Sequence, residues 1–371
     1  MNGNSRLAML AGAAAIVVLV TGGLIYLGGS QAPSIGAPST PSPSATRPSV
    51  PTDAAGRLPT APLSLAIVDI GGTVRRELRL PSDAWMADLS ADGNQIVFTS
   101  ASSDLGFCGG CGQTRRVAIV AADGSRSQYA YPSDASGQPN PATVAQPAWS
   151  PDGSALAFQA DDGNGNLDIY VSVLDRTDAR GVTGDAVRLT TDPGVDELPA
   201  WSPDGSTIFY TNGGATPLDD SGFSPTQEIW SVPAASGPPK RLTSNDTSDT
   251  MPDVATDGRV AYWSQGDIMV MDPDGTDANV LVRQAREPYF NPRWSPDDSK
   301  LALLRYDPSR RATLPSGLGL PTDLPLLDVV VVDLVTGQVT DVGQQVVSDW
   351  NPVSWTPDGT GLLIDRHLVG Q

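Results

Sequence analysis

The chain has 371 residues, 42 acidic against 23 basic, and a formal net charge of −19. That imbalance argues against nucleic acid or an anionic lipid surface as the partner of the folded part. A single histidine, His367, four residues from the end and beside no ligand cluster, removes histidine-based catalysis from the candidate chemistries.

Residues 1–6 are short and carry Arg6. Residues 7–28 contain no charged side chain and include Ala13-Ala-Ala-Ile-Val-Val-Leu-Val20. At about 1.5 Å per residue a helix of this length crosses roughly 30 Å of hydrocarbon, so the segment predicts a single transmembrane helix acting as signal anchor. Arg6 and the amino terminus on the short side place residues 1–6 in the cytoplasm and the rest outside. The alternative is a cleaved signal peptide with Ser30-Gln-Ala32 as its small-x-small site, which would secrete the protein; the length of the apolar run favours the anchor.

Residues 29–62 are rich in Pro, Ser, Ala and Thr, with Arg47, Asp53 and Arg57 as the charged residues. Such a stretch buries too little apolar surface to fold, and its prolines keep it extended. It reads as a disordered linker carrying the remainder, 63–371, away from the bilayer.

In 63–371 one short phrase returns six times. Four copies are Trp149-Ser-Pro-Asp-Gly153, Trp201-Ser-Pro-Asp-Gly205, Trp294-Ser-Pro-Asp-Asp298 and Trp355-Thr-Pro-Asp-Gly359, and worn copies stand at Leu89-Ser-Ala-Asp-Gly93 and Val254-Ala-Thr-Asp-Gly258. Their aspartates recur every 40 to 61 residues, a spacing that fits one four-stranded propeller blade with loop insertions. Proline at the second place of a type I turn and glycine at the fourth make each phrase a hairpin corner. The apolar runs that follow, such as Ala155-Leu-Ala-Phe158 and Thr207-Ile-Phe-Tyr210, read as buried strands.

Reading outward, each blade has strands a and b around the corner, then c and d. Blade two is the clearest: 146–149, 155–160, 167–174 and 186–190. Further c strands are 228–232, 267–271 and 327–333. The sixth copy is followed only by a b strand, 361–366, whereas 64–69 and 74–80 have the c and d patterns ahead of the first corner. Pairing the two ends in one blade closes the ring and leaves no half-built blade with bare edges. The expected fold is an all-β, six-bladed propeller, monomeric.

Within 63–366 the repeats resemble those of the TolB family: Pro147-Ala-Trp-Ser-Pro-Asp-Gly153, Asp162-Gly-Asn164, Asp168-Ile-Tyr170, Arg188-Leu-Thr190 and again Arg241-Leu-Thr243. The N-terminal globular domain of true TolB proteins has no counterpart here. Related repeats occur in envelope scaffolds, sensor ectodomains and peptidase gating domains, so the resemblance implies fold more than activity.

Cys108 and Cys111 form Cys-Gly-Gly-Cys in the b-to-c loop of blade one. Zinc needs about four ligands and no second Cys or His cluster supplies them; outside the membrane a local disulfide is expected. Other long b-to-c insertions fall at 213–226 and 307–326, and on alternate blades they crown one rim, where binding is expected. At that rim, ahead of strand a, acidic residues recur: Asp83, Asp196, Glu197, Asp249, Glu287 and Asp349. As a ring they could hold a cation or a basic segment of a partner; singly, each is a turn-capping carboxylate. Asp162-Gly-Asn-Gly-Asn-Leu-Asp168 spaces oxygen ligands as a calcium loop does but lacks the sixth-position glycine and distant glutamate, so no cofactor is assigned. The expected function is a non-catalytic, membrane-anchored extracytoplasmic module that binds a protein or envelope polymer. The alternative is a carbohydrate-active hydrolase or lyase using two channel carboxylates.

Overall fold

The computed structural model describes residues 16–20, 23–27, 63–78, 84–100, 116–123, 127–128, 144–161, 166–174, 186–213, 227–283, 287–313, 323–346 and 353–367. In chain order, Ile16–Val20 (β1) and Gly23–Leu27 (β2) form an antiparallel pair of their own. Leu63–Asp69 (β3) and Val74–Leu78 (β4) follow, then blade one with Ala84–Leu89 (β5), Gln95–Ser100 (β6), Arg116–Ala121 (β7) and Ser127–Gln128 (β8). Blade two has Val144–Trp149 (β9), Ala155–Asp161 (β10), Leu167–Val173 (β11) and Val187–Arg188 (β12). Blade three has Asp196–Trp201 (β13), Thr207–Asn212 (β14), Glu228–Pro233 (β15) and Lys240–Arg241 (β16). Blade four has Asp249–Val254 (β17), Val260–Ser264 (β18), Asp267–Met271 (β19) and Asn279–Val282 (β20). Blade five has Tyr289–Trp294 (β21), Lys300–Thr313 (β22), Asp323–Asp333 (β23) and Val339–Val346 (β24), and the last strands are Ser354–Trp355 (β25) and Gly361–His367 (β26).

Each blade is a four-stranded antiparallel sheet, and the sixth is built in the order β25-β26-β3-β4. Its seam runs in register from Gly361↔Asp69 through Leu363↔Ile67 to His367↔Leu63. The first strand of the propeller, β3, and the last, β26, are therefore neighbours, as the incomplete sixth repeat requires.

The expected helix over 7–28 is corrected by the pairing of β1 with β2, and among the described residues no helix is long and apolar enough to cross a membrane. The reason lies in composition. Ile16, Val17, Val18 and Val20 are β-branched, Gly22 and Gly23 permit a turn, and an unbroken apolar run has no period that separates helix from strand. The linker 29–62 lies outside the described residues.

The insertion expected as a loop at 307–326 is instead largely strand. β22 and β23 extend past the blade with pairs Asp307↔Leu326 and Thr313↔Asp323, and the register shifts between Asp307 and Arg311. Pro308 sits in that shift because it has no N–H to give the ladder. The insertions at 101–115 and 214–226 lie outside the described residues.

The corners owe their shape to one carboxylate each. Ser150 Oγ donates to Asp152 Oδ1 at 2.7 Å, the Ser154 amide donates to the same oxygen at 2.9 Å, and the Ala155 amide donates to Ser150 Oγ at 2.9 Å. Equivalent sets surround Asp204, Asp297 and Asp358. These donors hold all four carboxyls down at about 2.

Strand a bulges at one repeated position. Met86, Gln146, Leu198, Met251 and Asn291, each three residues before the corner's first residue, take φ of 52°, 53°, 55°, 59° and 52°. The amides freed by the bulge find acceptors on the preceding blade: Gln146 N–H donates to Thr99 Oγ1 at 3.2 Å, Leu198 N–H to Gln146 Oε1 at 2.7 Å, and Met251 N–H to Thr211 Oγ1 at 3.2 Å. Met86, Leu198 and Met251, from three blades, belong to one contiguous apolar cluster. Their side chains lie at the repeated bulge in strand a of each blade.

Candidate functional site

On the corner rim lies a cavity of about 400 Å³. Its wall comes from the residue just before the repeated tryptophan position: Asp88, Ala148, Ala200, Asp253, Arg293 and Ser354, one per blade. Trp149, Trp201, Trp294 and Trp355, with Pro151 and Pro203, form the collar. Two alanines make one arc of the wall small and apolar. The other arc carries two carboxylates and a guanidinium.

The tryptophans are also clamps. Trp149 Nε1 donates to the Asp88 carbonyl at 3.2 Å, Trp201 Nε1 to the Ala148 carbonyl at 3.1 Å, and Trp355 Nε1 to the Arg293 carbonyl at 2.9 Å. Each links a blade to its predecessor. Trp294 breaks the pattern: its indole N–H is buried without a hydrogen-bond partner, and the Arg259 guanidinium lies 5.2 Å from its ring centre.

Every oxygen of the two wall carboxylates is engaged. Asp88 Oδ2 accepts from the Trp149 amide at 3.0 Å and Oδ1 from Ser354 Oγ at 2.9 Å. Asp253 Oδ2 accepts from the Trp294 amide at 2.7 Å and Oδ1 from Arg293 Nη1 at 3.0 Å. Burial pushes both carboxyls up, against the opposing pull of these donors and of Arg293. Arg293 Nε is buried and unpartnered.

The acidic residues expected to ring the other rim do not share one register. Asp196 and Asp249 open β13 and β17 at equivalent places and are fully buried, and Glu197, also buried, follows Asp196. Asn212 Nδ2 donates to Asp196 Oδ1 at 2.6 Å, Gln227 Nε2 to Glu197 Oε1 at 2.8 Å, and Asn245 Nδ2 to Asp249 Oδ2 at 2.8 Å. They tie strands together inside the blades. Glu287 reaches Arg305 at 3.4 Å, and Arg305 also holds Asp328 and Asp341. Asp83, Asp349, Cys108 and Cys111 lie outside the described residues. Of the calcium-like loop, Asp168 is fully buried and paired with Arg188 at 2.6 Å; Asp162 to 165 lie outside the described residues. Among the described residues no group of three or more His, Cys, Asp or Glu is placed to hold a metal.

Comparison with known proteins agrees with the repeat. The model of the TolB beta propeller domain matches residues 134–267. Over 230 residues the chain is 26% identical to an uncharacterised protein of Agrobacterium fabrum, covering 59% of this chain and 68% of that one. It is 31% identical over 186 residues to a tricorn protease homologue of Streptomyces coelicolor, covering 49% of this chain but only 12% of that protein. A solved TolB structure from Agrobacterium tumefaciens superposes with a TM-score of 0.60 at 19% identity, over 82% of this chain and 98% of that one.

The chain is a TolB-like six-bladed β-propeller.

The funnel of this TolB-like propeller was reachable from the repeat alone, because aligning the six corners puts Asp88, Asp253 and Arg293 in one column. With both carboxyls ionised the wall carries one net negative charge, which suits a cationic ligand.

Proposed function

We propose that this TolB-like propeller is a non-catalytic extracytoplasmic binding module that takes a basic, extended segment of an envelope protein into the corner-rim funnel. The observation that carries the reading is the wall itself: two carboxylates, one guanidinium and an aromatic collar, on a chain of net charge −19. Upward-shifted carboxyls are what an acid-base hydrolase or lyase would use. Against that second reading, each oxygen of Asp88 and Asp253 already accepts one hydrogen bond within the protein, so both carboxylates are held in place by the wall, with acceptor sites left for a bound cation.

The segment 7–28 and the linker 29–62 would keep the propeller near the membrane. Alkaline extraction of membranes carrying the full chain tests this: retention in the pellet supports an anchor, release opposes one.

Partner binding is tested by a photo-crosslinking residue at Ala200 in the full chain, irradiated in intact envelopes. A protein captured through a basic segment, and lost when Asp88→Asn and Asp253→Asn are combined, supports the reading. No capture, or turnover of a polysaccharide by the purified chain, overturns it.

A further inference from the structure

The seams between blades two and three and between blades three and four are built from equivalent residues, and they differ in one donor. In the second of these seams Glu228 accepts from Arg241 Nη2 at 2.5 Å, from Thr243 Oγ1 at 2.6 Å and from the Asn245 amide at 3.2 Å. Asn245 Nδ2 then donates to Asp249 Oδ2 at 2.8 Å. The counterparts in the first seam are Asp168, Arg188, Thr190, Asp192 and Asp196. Asp192 stands where Asn245 stands, so a carboxylate replaces the amide that should donate to Asp196.

Asn212 Nδ2 compensates in part, donating to Asp192 Oδ2 at 2.5 Å and Asp196 Oδ1 at 2.6 Å. The other oxygens, Asp192 Oδ1 and Asp196 Oδ2, remain buried without partners. A second observation points to the same place. Tyr210, fully buried and on the same face of β14 as Asn212, has a hydroxyl with no partner, and burial, then the charges of Asp196, Asp192 and Asp168, push that hydroxyl above the usual tyrosine range. Unpaired buried oxygens are costly.

We propose that this seam binds a proton, held on Asp196 in the field of Asp192, which supplies the donor that Asn245 supplies in the next seam. Around Asp196 stand the Thr190 hydroxyl, Asp168 on β11 with its partner Arg188 on β12, Asp192 in the following turn, Tyr210 and Asn212 on β14, and the Gln159 amide on β10, which donates to the Asp196 carbonyl at 3.2 Å. Arg188 is committed to Asp168 at 2.6 Å. Burial, with Asp192 and Asp168 adding to it, lifts the Asp196 carboxyl to about 8 despite its hydrogen bonds. Because the unfolded carboxyl titrates near 3.8, the folded state holds the extra proton between those limits, and stability falls as pH rises from about 4 to about 8, then levels. β13 carries Ala200 of the wall and Trp201 of the collar, so the proton braces the strand that shapes one side of the funnel.

The experiment is isotope-edited infrared spectroscopy of the full chain with labelled aspartate, alongside thermal melts from pH 5 to 10. The wild type should show a protonated-carboxyl band at pH 6 that is lost through pH 8, and a melting temperature that declines over pH 5 to 8. Asp196→Asn should lack the band and flatten that decline. Asp192→Asn, which restores the donor of the neighbouring seam, should shift the band's titration to lower pH by a unit or more. No titrating band in the wild type, the same band in Asp196→Asn, or an unmoved titration in Asp192→Asn would overturn the proposal. So would a rise in the wild-type melting temperature on adding calcium chloride at pH 9 that Asp196→Asn abolishes, because a metal would then fill the place assigned to the proton.

Discussion

Trp149 holds Asp88 twice, its amide donating to the carboxylate at 3.0 Å and its indole to the carbonyl at 3.2 Å. One residue of blade two thus fixes both the side chain and the backbone of blade one at the funnel wall. The repeated tryptophan fills space between blades and also carries the ring's continuity from one corner to the next.

That role gives a matched comparison, because Trp355 and Trp294 are 8% and 7% exposed but only Trp355 donates, to the Arg293 carbonyl. Trp355→Phe removes one hydrogen bond to that carbonyl and is expected to cost about 0.5–1.5 kcal/mol. Trp294→Phe loses no hydrogen bond and weakens a cation–π contact worth roughly 0.5–1 kcal/mol. Urea unfolding of the two variants checks the order; equal losses would mean the indole bonds contribute nothing.

Acid stability should depend on the corners. The carboxyls of Asp152, Asp204, Asp297 and Asp358 lie at about 2 in the fold, against 3.8 for the free group. A depressed carboxyl stabilises the fold above its unfolded value and loses that contribution as pH falls from about 4 through about 2. The melting temperature of the wild type should drop over that interval. Replacing all four aspartates by asparagine should flatten the drop while leaving the amide acceptors in place.

The closing seam predicts the outcome of a truncation. A chain starting at residue 81 lacks β3 and β4, so β26 presents Gly361 to His367 as a bare edge and Leu363, fully buried against that neighbour strand, becomes exposed. Exposed edges template association. Light scattering should find the truncated chain aggregated or oligomeric, and a stable monomer would contradict the ring.

Much of this fold was legible because turn chemistry and strand periodicity agree six times over, down to the c strand of blade four at Asp267–Met271. The funnel was legible in principle, since Asp88, Asp253 and Arg293 each stand one place before the corner's first residue. The six acidic positions differ already in the sequence: Asp196 and Asp249 stand five residues ahead of the corner's first residue, Asp83 and Asp349 six, and Glu287 seven. Of the described positions, Asp196 and Asp249 open their strands at equivalent, buried places, while Glu287 precedes its strand and reaches Arg305. The apolar run 7–28 fails for another reason: without polar residues it offers no period to read.

Gly72 tests the packing of the closing blade on its neighbour. It turns the chain between β3 and β4 at φ +85°, and a Cβ there would lie 2.1 Å from the carbonyl oxygen of Val342 on blade five; Gln344 Nε2 also donates to its carbonyl at 2.9 Å. Gly337 shares the left-handed backbone at φ +70° but has open space around it. Alanine at 337 pays only for the backbone, about 1–2 kcal/mol. Alanine at 72 pays that and must also push two blades apart, so Gly72→Ala should unfold at clearly lower urea concentration than Gly337→Ala. If the two variants unfold together, β3 and β4 do not sit against blade five, and the ring is not closed where the last strand meets the first.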